Sequence, residues 1–351
     1  MPHTTRQTAH NALGDISILY ATILFRAAEE EGADIEALKH RFKLSDATLS
    51  SPEARISISR FMRLGQAAIE MTGNPALGLH MGTLSRPVDY GLAGLAGASA
   101  NTVELAFSSL IRYALLTSQN SRGSASIEQA ERTVSFYSIR PYNRFNYFVV
   151  DSVLAAWTQF TRHLTGQCDV LEYVSIEYPS LGLDDLFEGW FRCPVRFDAP
   201  KNQVTFKGEI WSHPSLEAQP AMHSRLCEMC DTGIQQIKRG WTTGDRVKNL
   251  LTPMFRGETP GLETIAGKLG IAPWTLQRQL AREGTTFKAL LDDTRKQLAR
   301  DYIRETDSSL SETAWLLGFA NPAAFHKAYR RWFGISPGEH RQQFRWQSER
   351  D

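Results

Sequence analysis

The sequence predicts two domains of different class. An α+β domain occupies the N-terminal two-thirds, and an all-α domain follows, built from two helix-turn-helix units joined by a long helix. Three observations predict this. A segment near residue 270 recurs 48 residues later, near residue 318. The stretch between the two copies, residues 286–304, contains no proline or glycine. Upstream, helical and strand-like patterns alternate, with Gly and Pro between them. A length of 351 residues also exceeds the usual size of one domain.

The repeat pairs residues 264–280 with residues 312–329. Ala266 matches Ala314, Leu269 matches Leu317, Gly270 matches Gly318 and Ile271 matches Phe319. After one inserted residue Pro273 matches Pro322, Leu276 matches Phe325, Arg278 matches Lys327 and Leu280 matches Tyr329. These are positions that set packing and turn geometry. In the first copy Thr259 is placed to cap a helix with Pro260 at its first position. Leu262, Ile265, Ala266 and Leu269 then share one apolar face. Gly270 ends the helix where a left-handed residue is needed. Pro273 opens the second helix, with Leu276 and Leu280 inward and Gln277 and Arg278 outward. The second copy starts with a capping box, Ser309 to Glu312, and closes at Gly318. Asn321 and Pro322 begin its second helix, with Phe325, Tyr329 and Phe333 inward and Lys327 and Arg330 outward.

Two helices joined by about four residues with a glycine make a helix-turn-helix, whose second helix enters the DNA major groove. The outward residues suit base edges: Arg278 can grip guanine, Gln277 pairs with the adenine edge, and Trp274 offers an apolar face to a thymine methyl. Between the copies, Phe287, Leu290, Leu291, Leu298 and Tyr302 line one face of a helix. Nearly twenty residues give a rod of roughly 30 Å, close to the spacing of about 34 Å between major-groove faces on one side of B-DNA.

Charge permits this reading without establishing it. Residues 251–351 hold 15 Lys and Arg against 12 Asp and Glu, and the rest of the chain holds 24 against 26. The four cysteines, Cys168, Cys193, Cys227 and Cys230, form no disulfide framework and suit a reducing, cytoplasmic setting. The apolar run at residues 16–25 follows Asp15 rather than a basic cluster and is too short to span a membrane. It is expected to be a buried amphipathic helix.

With these residues in view, the C-terminal part resembles the AraC/XylS family of transcription regulators. The resemblance covers about residues 244–345 and rests on IAPWTLQRQLAREGTTFKALLDDTRKQLARDYI and LSETAWLLGFANPAAFHKAYRRWFGISPGEHR. It implies base contacts from Trp274, Gln277 and Arg278 in the first recognition helix, and from Asn321, His326 and Lys327 in the second. It also implies double-stranded operator DNA as partner, RNA polymerase if the chain activates, and a homodimer. One departure is Ala272, where relatives usually carry a capping Ser, a loss of about 1 kcal/mol. Pro322, Ala323 and Ala324 leave the second helix few polar groups at its start, so the first is expected to be the stronger base reader.

Upstream, residues 16–30, 56–71 and 145–163 read as helices, and residues 133–139, 171–178 and 203–206 as strands. Asp89 to Leu95, Phe191 to Phe197 and Asn202 to Phe206 resemble, more weakly, the N-terminal domain of the ornithine-utilisation-regulator branch of the family. That resemblance implies a domain that binds a small-molecule effector and dimerises. The expected boundaries are residues 15–213 for this domain, 214–243 for linker helices and 244–345 for the DNA-binding domain, whose first helix is expected at residues 245–255. No ligand residues follow from composition or spacing.

Other chemistries find little support. Cys227 and Cys230, with His213 and His223 upstream, invite a zinc or redox reading, but no second ligand pair follows and cysteines at i and i+3 of a helix often only pack. Alkyl-transfer repair modules fused to such DNA domains resemble an N-terminal cysteine cluster, and no cysteine precedes Cys168. Arg144, Arg162 and His163 are isolated basic residues, better read as solvated than as an anion pocket. No P-loop, dinucleotide fingerprint, HExxH or nucleophile elbow occurs. The sequence thus predicts no enzyme, no cofactor and no metal. A constitutive or architectural DNA-binding protein without an effector stays open as the alternative.

Overall fold

The protein is described here from a computed structural model, covering residues 15–51, 54–119, 124–138, 142–239, 241–255, 257, 259–305 and 308–348. The chain divides into two compact units, Ile16–Thr242 and the residues from Thr243 onward.

The N-terminal unit is mixed α+β. Strands β1 (Asp15–Ser17), β2 (Arg55–Ser57) and β3 (Ser118–Gln119) form a small sheet in the order β2-β1-β3. Strands β4 (Ser124–Glu128), β5 (Thr133–Tyr137), β6 (Leu171–Ser175), β7 (Val195–Arg196) and β8 (Asn202–Phe206) form the larger one, ordered β4-β5-β8-β6-β7. Within this larger sheet β6–β7 is parallel and the other pairs are antiparallel. Register aligns Val134, Val204 and Val174 in one row, all fully buried. The neighbouring row pairs Thr133 with Thr205, whose hydroxyls bond at 2.9 Å.

Around these sheets run α1 (Leu19–Glu30), α2 (Ile35–Arg41), α3 (Asp46–Leu49), α4 (Ile58–Thr72), α5 (Leu77–Leu84) and α6 (Gly91–Ala98). Next come α7 (Val103–Arg112), α8 (Ala114–Thr117), α9 (Tyr147–Thr165), α10 (Asp184–Phe191), α11 (Gly208–Trp211) and α12 (Pro220–Lys238). The centre is an aromatic cluster in which Phe107 lies 5.0 Å from Phe206 and Phe206 lies 5.5 Å from Trp211. Helix α9 packs against β5 and β8 and also against α5. The α5 contact is close because of Gly82: a Cβ there would sit 2.2 Å from the Cβ of Ala155.

The second unit is all-α: α13 (Thr243–Leu251), α14 (Leu262–Lys268), α15 (Pro273–Arg282), α16 (Phe287–Glu305), α17 (Leu310–Leu316), α18 (Pro322–Phe333) and α19 (Pro337–Ser348). The expected architecture of two helix pairs around a long helix is present.

Several expected bounds shift, each for a local reason. The helix expected from residue 16 begins at Leu19, because Asp15–Ser17 pairs as β1. The helix expected from residue 56 begins at Ile58, where the Ser57 hydroxyl accepts the Arg60 N–H as its cap. The strand expected to reach residue 178 ends at Ser175. The strand expected to reach Ile139 ends at Tyr137, and Ile139 lies outside the described residues. The helix expected over residues 245–255 is α13, which stops at Leu251 and passes into a 3-10 turn, Thr252–Met254. Proline at position 253 supplies no N–H to continue an α-helix. Thr259 and Pro260 do not open the next helix: α14 starts at Leu262 after Gly261, without a side-chain cap. The Thr259 hydroxyl instead meets the guanidinium of Arg295.

Candidate nucleic-acid interface

The two predicted turns are built alike, bond for bond. In the first, the N–H of Gly270 reaches the Gly267 carbonyl and that of Ile271 reaches the Ala266 carbonyl, both at 3.1 Å. In the second, Gly318 reaches Trp315 at 2.9 Å and Phe319 reaches Ala314 at 3.0 Å. The bond from Ile271 or Phe319 five residues back satisfies a helix-terminal carbonyl and needs a left-handed residue between. Gly270 and Gly318 supply it, with φ of 68° and 69°. Glycine is the residue that adopts this region at no steric cost, so the repeated glycine follows directly from the repeated turn.

Packing repeats as well. Ala266 and Ala314, Leu276 and Phe325, and Leu280 and Tyr329 are buried at equivalent places. Each second helix thus turns an apolar face inward and a polar face out. The helix starts differ. Asn321 caps α18, its side-chain oxygen accepting the Ala324 N–H at 2.8 Å. Ala272 is also extended before α15, but offers no side-chain acceptor.

On α15 Trp274 is 62% exposed, a large figure for an aromatic residue outside an interface. Gln277 and Arg278 are exposed beside it, and the Arg278 guanidinium lies over the Trp274 ring at 5.1 Å. The three predicted readers of the first helix therefore form one surface patch. In the second helix-turn-helix, Asn321, Lys327 and Arg330 are exposed. His326 is half-buried, its ring edge-on to Phe325 at 6.0 Å. The Asn321 side chain is already engaged in capping, which divides its capacity between helix and any base.

Two residues that sequence reasoning passed over hold this unit together. Arg295 of α16 donates to the carbonyls of Leu317 at 2.9 Å and Gly318 at 3.2 Å, at the second turn. Its guanidinium lies between the rings of Phe255, at 5.6 Å, and Phe319, at 5.2 Å. Burial lowers its pKa, and the Asp292 carboxylate pushes the other way. Glu283, just after α15, accepts the N–H groups of Thr243 at 2.6 Å and Gly244 at 2.8 Å, and so caps α13. No period or spacing marks such residues; their partners are 22 and 40 positions away. Arg331 and the indole of Trp332 add contacts to Asp292 at 3.0 and 3.1 Å, fixing α18 to α16.

The side chains weighed for other chemistry do not assemble. Arg162 donates to the carbonyls of Cys168 and Trp190, His163 meets Glu217 at 2.9 Å, and Arg144 lies over Phe145. Cys230 is buried against Ala93, Ala96 and Tyr113, and Cys227 lies 3.6 Å from His223. His213 bonds the Pro214 carbonyl instead. Among the described residues no three potential metal ligands come together, and no helix is long and apolar enough to cross a membrane.

Comparison with known proteins agrees with the geometry. Residues 32–215 match the arabinose-binding domain of AraC transcription regulators, N-terminal, and residues 265–343 match a helix-turn-helix domain. The ornithine utilization regulator of Pseudomonas aeruginosa is 27% identical over 93% of this chain and 96% of its own length. The regulator VirS of Mycobacterium tuberculosis is 26% identical over 93% of this chain and 96% of its own. A crystal structure of CdpR from Pseudomonas aeruginosa aligns with a TM-score of 0.40 at 24% identity, over 80% of this chain and 90% of that one. These relatives are named as regulators rather than enzymes. With a family match over more than half its length and two helix-turn-helix units in place, the chain belongs to the AraC family and is a DNA-binding transcription regulator.

Proposed function

We propose that the chain is a cytoplasmic, homodimeric regulator that reads its operator with both helix-turn-helix units and responds to a small molecule. In this reading residues 244–345 bind DNA, residues 214–243 link, and residues 15–213 sense and dimerise. Trp274, Gln277 and Arg278 read bases from α15. Asn321, His326, Lys327 and Arg330 act from α18, where more of the contact falls on backbone phosphates. The observation that carries the reading is the pair of matched turns, each followed by a helix with a buried apolar face and an exposed polar one. Helix α16, of 19 residues, gives a rod of about 28 Å. That suits successive groove faces about 34 Å apart. A dimer sets further units along the same duplex and raises affinity through effective concentration. RNA polymerase is a partner if the chain activates.

Two measurements test this. Arg278→Ala should weaken binding to the specific site by about 1–3 kcal/mol, roughly 5- to 150-fold in a mobility-shift titration. Unchanged affinity removes Arg278 from the reading set. A fragment beginning at Trp241 should be monomeric and bind weakly, and a dimeric fragment in light scattering places dimerisation in the wrong domain. The alternative, a constitutive or architectural binder, predicts that no metabolite changes operator affinity.

A further inference from the structure

Inside the N-terminal unit lies a cavity of about 160 Å³. Its wall includes the rings of Tyr20, Phe61, Tyr90, Phe136, Trp157 and Phe160, completed by aliphatic side chains and a few hydroxyls such as Ser85 and Thr117. Among the described residues, no charged side chain is in the lining. Two phenols meet edge to face on one side, the Tyr20 and Tyr90 rings lying 6.1 Å apart. Burial raises the pKa of both, while Thr117 and Ser85 bond their hydroxyls. Both phenols are therefore neutral and offer only hydrogen bonds.

The guanidiniums near these phenols are already committed. Arg26 pairs with Asp89 at 2.6 Å. Arg55 donates to the carbonyls of Leu116 and Thr117 at 3.3 and 3.4 Å. A carboxylate or ammonium entering the cavity would lose its water and gain no counter-ion from the described lining, which an apolar site does not repay. Volume narrows the choice further. An apolar cavity of about 150 Å³ accepts a benzene-sized guest, so this one has room for one ring with a short substituent.

The wall also bears on the way out of the unit. Ala93 of α6 lines the cavity and packs in a second small core with Ala96, Tyr113 and Cys230. Cys230 belongs to α12, which packs on α6 and on α8, the helix carrying the lining residues Ala114 and Thr117. The His223 ring of α12 bonds the Ala96 carbonyl at 2.7 Å. Helix α12 ends at Lys238, shortly before the DNA-binding unit begins at Thr243.

We propose that this cavity is the effector site and that it takes a small, uncharged, ring-containing molecule, its occupancy being felt by α12 through α6 and α8. The proposal rests on the reading of the N-terminal unit as a sensor, and adds to it a place and a chemical class. Amino acids and other zwitterions do not fit the described lining.

The test uses the full-length protein and matched probes: benzyl alcohol and cyclohexanol as neutral rings, benzoate and ornithine as charged molecules. Binding is followed by calorimetric titration, and operator affinity by mobility shift. The neutral rings should bind in the sub-millimolar range, and the charged probes should not bind at millimolar concentration. Val153→Phe on α9 fills the cavity from one wall, and should weaken neutral-ring binding at least about tenfold. Ala125→Leu on β4 fills it from another and serves if the first variant does not fold. Neutral-ring binding unaffected by filling, tight binding of ornithine or benzoate, or no binding of either neutral ring overturns the proposed site. Neutral-ring binding lost on filling, but without effect on operator affinity at saturation, upholds the site and its chemistry while refuting the sensor reading and the relay through α12.

Discussion

Replacing Arg295 with alanine should open the joint between α16 and the second helix-turn-helix. The carbonyls it serves, on Leu317 and Gly318, stand at the end of α17, where a helix lacks internal partners. Each hydrogen bond to a charged donor is worth about 1.5–3 kcal/mol net. Contact with the Phe255 and Phe319 rings adds roughly 0.5–1 kcal/mol. Against this, alanine removes the cost of holding a half-buried guanidinium, the cost that draws its pKa down. The balance is a loss of about 3 kcal/mol. For a unit of roughly a hundred residues, that lowers the midpoint of unfolding by about 10–20 °C. Differential scanning calorimetry of the full-length chain should show the shift in one transition only. Arg295→Lys keeps the charge without the planar fork and should fall between. A loss below about 0.5 kcal/mol for the alanine variant would refute the role assigned to this residue.

Two further substitutions probe the fold. Ala272→Ser should stabilise the DNA-binding unit by about 1 kcal/mol, because the backbone before α15 already has the cap conformation and lacks only an acceptor; calorimetry showing no gain contradicts this. Asp151 is buried in α9 with its carboxyl bonded by the Tyr178 hydroxyl. Burial pushes its pKa up to about 7, against the lowering effect of Tyr178, from an ordinary value of 3.8. The folded state thus favours the protonated form. Its contribution is complete below the ordinary value and is lost as pH rises toward 7, after which it is level. Asp151→Asn should flatten stability between pH 4 and 7 in urea titrations. A wild-type curve that rises over that interval, and keeps rising in the variant, contradicts the assignment.

The C-terminal unit was legible because its structure is local. A turn that needs Gly270 or Gly318, a face set by Leu276 and Leu280, and a capping box at Ser309 and Glu312 all act within a few residues. The failure at Thr259 has the opposite origin: a good capping residue was drawn to a partner 36 positions away. Arg295 and Glu283 escaped notice for the same reason. The N-terminal unit is less legible throughout. Strand β1 has three residues and exists only through β2 and β3. Helices α5 and α6 are short and glycine-rich, against helix propensity, and persist because they pack closely on neighbours. The cavity is assembled from residues between Ile16 and Phe160 on many separate elements, and no spacing in the chain announces it.

The central claim, that two matched helix-turn-helix units read a specific sequence, is tested most directly by capturing genomic DNA fragments with the purified full-length protein and sequencing them. The account predicts a shared motif whose half-sites are separated by whole helical turns. Captured fragments with no common motif, or no retained DNA at all, would contradict it.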